Sequence, residues 1–331
     1  MKKLSLFFAL LIINSNCTEN PSSSEVESHF SIHLLKDANL TIEHIRDKDV
    51  SEIALDPTPW ISSDDIHFYD FSTHCIYLKR NKNEYIPGLN SNFELPESWW
   101  LKPFVITVSD KAVYMGCFYP STFVKAPEGV YITDEFTEDY ADDIFHISNA
   151  EYRGCYDDVM SNKIDVRNNF QVKNALIEDN IFSAGLELTL DTLEIVEHRF
   201  TSTVKFTFTI TNNDDENLYV IDSDLTGLEL FRTINRGGVV LWNEQTSYSS
   251  VSNANSNPLE NWESSWFTKI GSKQSITRTV SYGGYPPIAS GQYYCCWAFR
   301  GPLNIEKDER ERSDGRYWSG IISASPIIVN L

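Results

Sequence analysis

Residues 204–210 read VKFTFTI, with Val204, Phe206, Phe208 and Ile210 on one parity and Lys205, Thr207 and Thr209 on the other. Side chains of a strand point alternately to opposite faces, so this period of two predicts one face in a core and one in water. The β-branched and aromatic residues suit a pleated, half-buried surface. Upstream, Leu186, Leu188 and Leu190 alternate with Glu187 and Thr189; downstream, Asn212-Asn213-Asp214-Asp215 is a turn signal. Further strands are expected at 217–222, 227–233, 238–243, 275–282, 292–299 and 320–329. Arg236-Gly237-Gly238, Gly283-Gly284 and Pro286-Pro287 punctuate them. Many short strands, regular turns and almost no helical period predict an all-β sandwich over 183–331. Pro326 cannot donate to a ladder and is expected at a sheet edge or bulge.

The preceding part, 29–180, reads differently. His29 to Leu34 alternates polar and apolar, and a charged helical patch follows at 40–49. In TPWISSDDI, residues 58–66, Ser62 or Ser63 is placed to cap a short helix, with Asp64 and Asp65 in its first turn. His74–Leu78 is a strand, FVITVSDKAVY (104–114) holds two strands around Ser109-Asp110-Lys111, and 129–133 is one more. Strands mixed with short helices, without βαβ regularity, predict an α+β domain. The Asn-rich stretch 160–182 is the expected boundary.

Three resemblances attach to these segments. Ser290-Gly291-Gln292-Tyr293-Tyr294-Cys295 resembles strand F of immunoglobulin-like domains, with Tyr293 at the tyrosine-corner position. No cysteine lies between Cys155 and Cys295 to complete the usual intersheet bridge. The order KFTFTITNN, IGSKQSITRTVSY, ASGQYYCCWAF resembles small bacterial Ig-like accessory domains, including BsuPI-type proteinase inhibitors, and implies that fold. PWISSDDI, a strand, KPFVITVSDKAVYMG and GVYITD, within 55–133, resemble the periplasmic head region of SecDF-type export factors. That implies a small α+β fold in an extracytoplasmic setting.

The chain opens MKKLSLFFALLIINSNC. Lys2 and Lys3 form a basic n-region, and Leu4–Ile13 is too short for a bilayer, which needs about 20 apolar residues. Cys17 directly after it resembles a bacterial lipoprotein signal. The resemblance implies a diacylglycerol on the Cys17 thiol, removal of the leader and acylation of the new terminus. Asn14, Ser15 and Asn16 precede the cysteine where that pattern has an aliphatic and then small residues; an ordinary signal peptide cut near Cys17 is the alternative. Residues 18–28, TENPSSSEVES, have too little apolar content to repay ordering and are expected to be a flexible tether.

Composition narrows the function. The 331 residues carry 27 basic and 47 acidic side chains, net −20, which argues against binding nucleic acid. Beyond Cys17, the cysteines at 75, 117, 155, 295 and 296 form no CxxC pair. One bridge among Cys75, Cys117 and Cys155 is conceivable in an oxidising compartment. Cys295 and Cys296, adjacent on a strand, point to opposite faces.

No GxSxG, HExxH, P-loop or GxGxxG occurs. His29 and His33 on one strand lie about 13 Å apart, too far to share a zinc ion. Asp222-Ser223-Asp224-Leu225-Thr226-Gly227 opens like a calcium loop, but Thr233 stands where the bidentate Glu belongs. The acidic residues between Asp134 and Asp158 show no EF-hand spacing and read as a solvated face. Trp99 and Trp100 form the candidate binding platform, since adjacent residues are hard to bury together. No catalytic residue, metal or cofactor is expected. The expectation is a lipid-anchored, extracytoplasmic protein of the cell envelope. It binds the membrane through Cys17 and takes a protein or glycan partner in a non-catalytic binding or accessory role. The alternatives are a carboxylate-dependent hydrolase and a proteinase inhibitor.

Overall fold

The computed structural model describes residues 29–89, 94–123, 127–133, 140–151, 164–235, 238–250 and 262–331. The protein is built mostly of β-strands arranged in several sheets. The first is six-stranded, in the order Ile61–Ser62, Phe30–Leu34, Pro103–Val108, Lys111–Tyr119, Val130–Thr133, Ser148–Asn149. Ser109 and Asp110 close its central hairpin at φ 49° and 63°. A two-residue turn matching strand twist needs that left-handed conformation, and Asp tolerates it better than most residues. At the next turn, Ser62 caps a 3-10 helix over Ser63–Asp65, as the motif predicts, and Asp65 reaches back to the Ser62 backbone.

A second sheet runs Phe182–Ser183, Ile66–Asp70, Cys75–Leu78, Ile144–His146. It is buried on both faces. Ile76 and Leu78 join the core shared with Phe30, Ile106 and Phe118 of the first sheet, whereas Cys75 and Tyr77 pack with Leu303 from the far end of the chain. The same core holds one face of the helix Phe170–Glu178, through Val172, Ala175 and Leu176. Asn169 caps that helix. The stretch expected as a linker therefore carries a helix and a strand, and Phe182–Ser183 pairs parallel with Tyr69 and Asp70.

In the remaining chain, Leu186–Glu197, Ser202–Asn212 and Ser275–Tyr285 form a three-stranded antiparallel sheet. Leu188, Val204, Phe206, Phe208, Ile210 and Val280 face a single large core. The outer face carries cross-strand hydroxyl pairs, Thr207 to Thr279 at 2.9 Å and Thr209 to Thr277 at 2.8 Å. Two four-stranded sheets bring residues into the core from the opposite side, including Leu218, Val220, Leu241, Tyr293 and Cys295. Trp297 is buried among Phe206, Phe208 and Phe231. One strand expectation fails: 227–233 is a helix, Leu228–Ile234, burying Phe231 and Ile234. Its apolar residues recur at three and four positions, which is a helical and not a strand period. The expected strand at 320–329 is two strands, Ile321–Ser323 and Ile327–Asn330, with Pro326 between them; Ile327–Asn330 is the edge of its sheet.

No helix among the described residues is long and apolar enough to cross a membrane.

Candidate functional site: the junction cleft

The two parts of the chain meet across an interface of aromatic rings and matched charges. Arg310 donates to both oxygens of Asp143, at 2.9 and 2.7 Å, with both side chains buried, and its guanidinium lies over the Tyr77 ring. Arg316 bonds Ser183 and Asp214, pairs with Glu216, and stacks on Phe68. The Trp318 indole donates to Asp70, and the Tyr77 hydroxyl donates to the Ser319 carbonyl at 2.7 Å. Burial raises the Asp70 carboxyl above its ordinary range. Asp70, Asp143 and Asp214 are sealed inside the interface, whereas Glu216 is exposed at its edge. Asp143, from the acidic segment expected to supply a hydrolase, is committed to Arg310.

Beside this interface a cleft of about 580 Å³ opens, lined from both parts of the chain. Residues 71–74, after the Ile66–Asp70 strand, form one wall; 146–149 and 165–168 form the floor; Leu186–Leu188 and Ile321–Ser325 close the far side. The Asp70 carboxylate shapes the first wall by accepting from the Ser72 amide and hydroxyl, at 2.9 and 2.6 Å. His74 then takes φ 57°. Its Nδ1 lies 3.2 Å from the Tyr69 hydroxyl and its Nε2 3.9 Å from Asp165. Asp165 accepts a fork from Arg167, whose third arm donates to the Ile147 carbonyl at 2.6 Å. Next to this pair, His146 stacks on Tyr140, and its Nδ1 lies 3.1 Å from the Ser148 hydroxyl.

The electrostatics follow from burial beside a fixed cation. Burial and then Arg167 hold the His74 imidazole well below its usual range and bring His146 down to about 3. Asp165 is kept below the usual carboxylate range because the bonds from Arg167 outweigh its burial. The cleft therefore presents two neutral imidazoles, hydroxyls and amides, with its Arg–Asp pair already mutually satisfied.

The residues predicted from sequence lie elsewhere. Cys17 and Cys155 fall outside the described residues, as do Asp134, Glu135, Glu138, Asp139, Asp157 and Asp158. Trp99 is 7% exposed, packed between Trp60 and Phe118, with the Lys102 ammonium over its ring. Trp100 is half-buried; its indole donates to the Leu95 carbonyl and its ring meets Phe123 edge-on. The pair is not an open platform: at the 3-10 turn Glu97–Trp99, Trp99 sits within the N-terminal core and Trp100 packs against it, partly buried. Cys75 and Cys117 are free and buried, which removes the bridge considered between them, and Cys295 is free too. Burial pushes all three thiols up to about 12. Cys296, on the opposite face from Cys295, is disulfide-bonded. Asp222 caps the Ser223–Thr226 helix and pairs with Arg278, so the calcium-like motif is a structural cap. No group of described residues is arranged to hold a metal ion.

Sequence reasoning passed over His74, His146, Asp165 and Arg167 because they lie scattered over some ninety positions. Only Asp165-Val166-Arg167, a charge pair two apart, left a local signal. No protein-family model matches this chain, and no curated protein is detectably similar to it.

Proposed function

We propose that this protein is a lipid-anchored, extracytoplasmic binding protein whose ligand enters the junction cleft. The observation that carries the reading is the convergence of two neutral imidazoles, His74 buried and His146 half-buried, with an internally satisfied Arg167–Asp165 pair in the floor of a 580 Å³ opening. Small-molecule sites favour such junctions and volumes of about 300–1,000 Å³. Two other depressions of comparable size, one near Lys36 and Glu52 and one near Met115 and Ile164, hold no such cluster.

The anchor and the compartment rest on the leader and on Cys17. A disulfide-bonded Cys296 suits an oxidising compartment. An Ig-like sandwich for 183–331 is supported by the Tyr293 hydroxyl, which bonds back to the Ala289 carbonyl at 3.0 Å as a tyrosine corner does, and by the buried Trp297. A binding role fits better than catalysis because every described carboxylate in or beside the cleft is neutralised, sealed or at the exposed rim.

Amide hydrogen exchange of the full-length protein, with and without detergent-solubilised native envelope extract, tests the reading. Slowed exchange confined to 71–74, 146–149 and 165–168 is expected. Protection confined to the hairpin tip around Phe200, or none, contradicts it.

A further inference from the structure

The cleft's own chemistry restricts what it can take. Among the described residues the one lining cation is Arg167, and three of its five N–H donors go to Asp165 and the Ile147 carbonyl. The Asp165 carboxylate already neutralises the Arg167 charge, so a phosphate or carboxylate would have to compete with that carboxylate for the guanidinium. Glu187 adds an exposed negative charge at the rim, where it accepts from Asn213. The whole chain is also acidic, at net −20. Anions are therefore repelled before they arrive. Among the described residues, a cation would find only that exposed Glu187 outside the Arg167–Asp165 pair, and its charge is weakened by water and salt.

What remains in the wall is uncharged and polar in both senses. Ser148 and Asn149 from the floor, Asn168 beside His74, and Ser323 and Ser325 on the far rim supply hydroxyls and amides, and Ser148 and Asn149 keep donor or acceptor capacity beyond their bonds to His146, Asp165 and the Glu151 amide. Each such group donates and accepts. With their charge suppressed, the His74 and His146 rings do the same, one nitrogen of each donating and the other accepting. Phe71 and Tyr131 add ring surface to this polar lining. A wall alternating donor, acceptor and ring surface complements a molecule whose hydroxyls both donate and accept and whose ring C–H groups lie flat.

We propose that the junction cleft binds a neutral polyhydroxylated ligand, a saccharide unit, with His146, Ser148, Asn149 and Asn168 as its polar contacts. This rests on the cleft being the ligand site and adds the ligand's class. A free sugar and the end of a longer envelope glycan present the same chemistry to these residues.

The test uses the full-length protein in a zwitterionic detergent without a sugar headgroup. It is titrated by calorimetry with glucose, galactose, N-acetylglucosamine and their disaccharides. Glucuronate, glucose 6-phosphate, glucosamine and glycylglycine are the charged and peptide probes. Ser323→Trp places an indole at the exposed rim without touching the buried network and blocks the opening. Saturable binding of neutral sugars that is unchanged by salt and lost by about tenfold or more in Ser323→Trp is the expected result. Tighter binding of a disaccharide than of its monosaccharide marks a glycan end as the source; equal binding marks a free sugar. A charged or peptide probe that binds instead, and is blocked by Ser323→Trp, overturns the saccharide class and leaves the cleft as the site. Sugar binding indifferent to Ser323→Trp overturns the cleft. Silence from every probe overturns both.

Discussion

His74 and His146 make the protein's response to acid predictable. Both imidazoles are harder to protonate in the folded protein than in the unfolded chain, so lowering the pH favours unfolding. Their stabilising effect is complete above the ordinary histidine value of about 6.5. For His146 it is lost progressively down to about 3. His146 contributes a slope of up to about 1.4 kcal/mol per pH unit within that window, and His74 acts in the same direction. Asp165, whose folded value is lowered, adds to the loss near pH 4, and Asp70, whose value is raised, opposes it. Urea melts at a series of pH values should show stability falling steadily below about 6.5, with a shallower slope in His146→Gln. At the same scale, Asp143→Ala leaves Arg310 charged and buried without its carboxylate. The expected cost is about 3–5 kcal/mol, whereas Asp143→Leu combined with Arg310→Met should recover most of it. A double-mutant cycle by denaturant unfolding checks this. The Asp143–Arg310 pairing was not legible in the sequence, because the two residues lie 167 positions apart and meet only on folding.

Elements were more legible where one face meets water. The period-two pattern at Val204–Ile210 and a serine cap at Ser62 or Ser63 read directly, since local stereochemistry decides both; the return bond from Asp65 to Ser62 did not. Leu228–Ile234 misled because Leu228 and Leu230 start on a strand's alternation, and the three-and-four spacing of Leu228, Leu230, Phe231 and Ile234 spans too few residues to stand out. The Leu186–Glu197 and Ser202–Asn212 hairpin changes character along its length. Leu186, Leu188 and Leu190 are buried, while the tip beyond Asp191 is largely exposed, with Phe200 72% exposed. Phe200→Ser should therefore shift the melting midpoint negligibly, within about 0.5 kcal/mol. At the hairpin's base, Gly185 has φ +66°, and a Cβ there would strike the Ser72 hydroxyl and the Asp70 carboxylate. Gly185→Ala combines left-handed strain with displacement of the turn that shapes the cleft wall. Thermal denaturation should show a loss of at least about 1–3 kcal/mol.

At the scale of the whole molecule, the division into two parts was visible as a change of pattern near residue 183, but their union was not. The second sheet has no solvent face: one side belongs to the N-terminal core and the other meets Leu303, Arg310 and Arg316. A strand buried on both faces, such as Cys75–Leu78, reads only as a short apolar run, and nothing local says what covers its second side. Expressed without residues 184–331, the N-terminal part would expose Tyr77 and leave Asp143 without Arg310. It is expected to bind a hydrophobic dye and lose cooperative melting, and a sharp two-state transition in that fragment would refute the shared core. The cleft exists only because both parts contribute walls, which is why no single stretch announced it.

The placement of this assembly at a membrane, where a tethered binding protein would meet envelope ligands, depends on what happens at Cys17. The most direct measurement is the mass of the amino-terminal peptide of the protein isolated from its native cells. A terminus beginning at Cys17 and carrying a diacylglycerol is the predicted result. An uncut leader, or an unmodified terminus at another residue, would contradict the account.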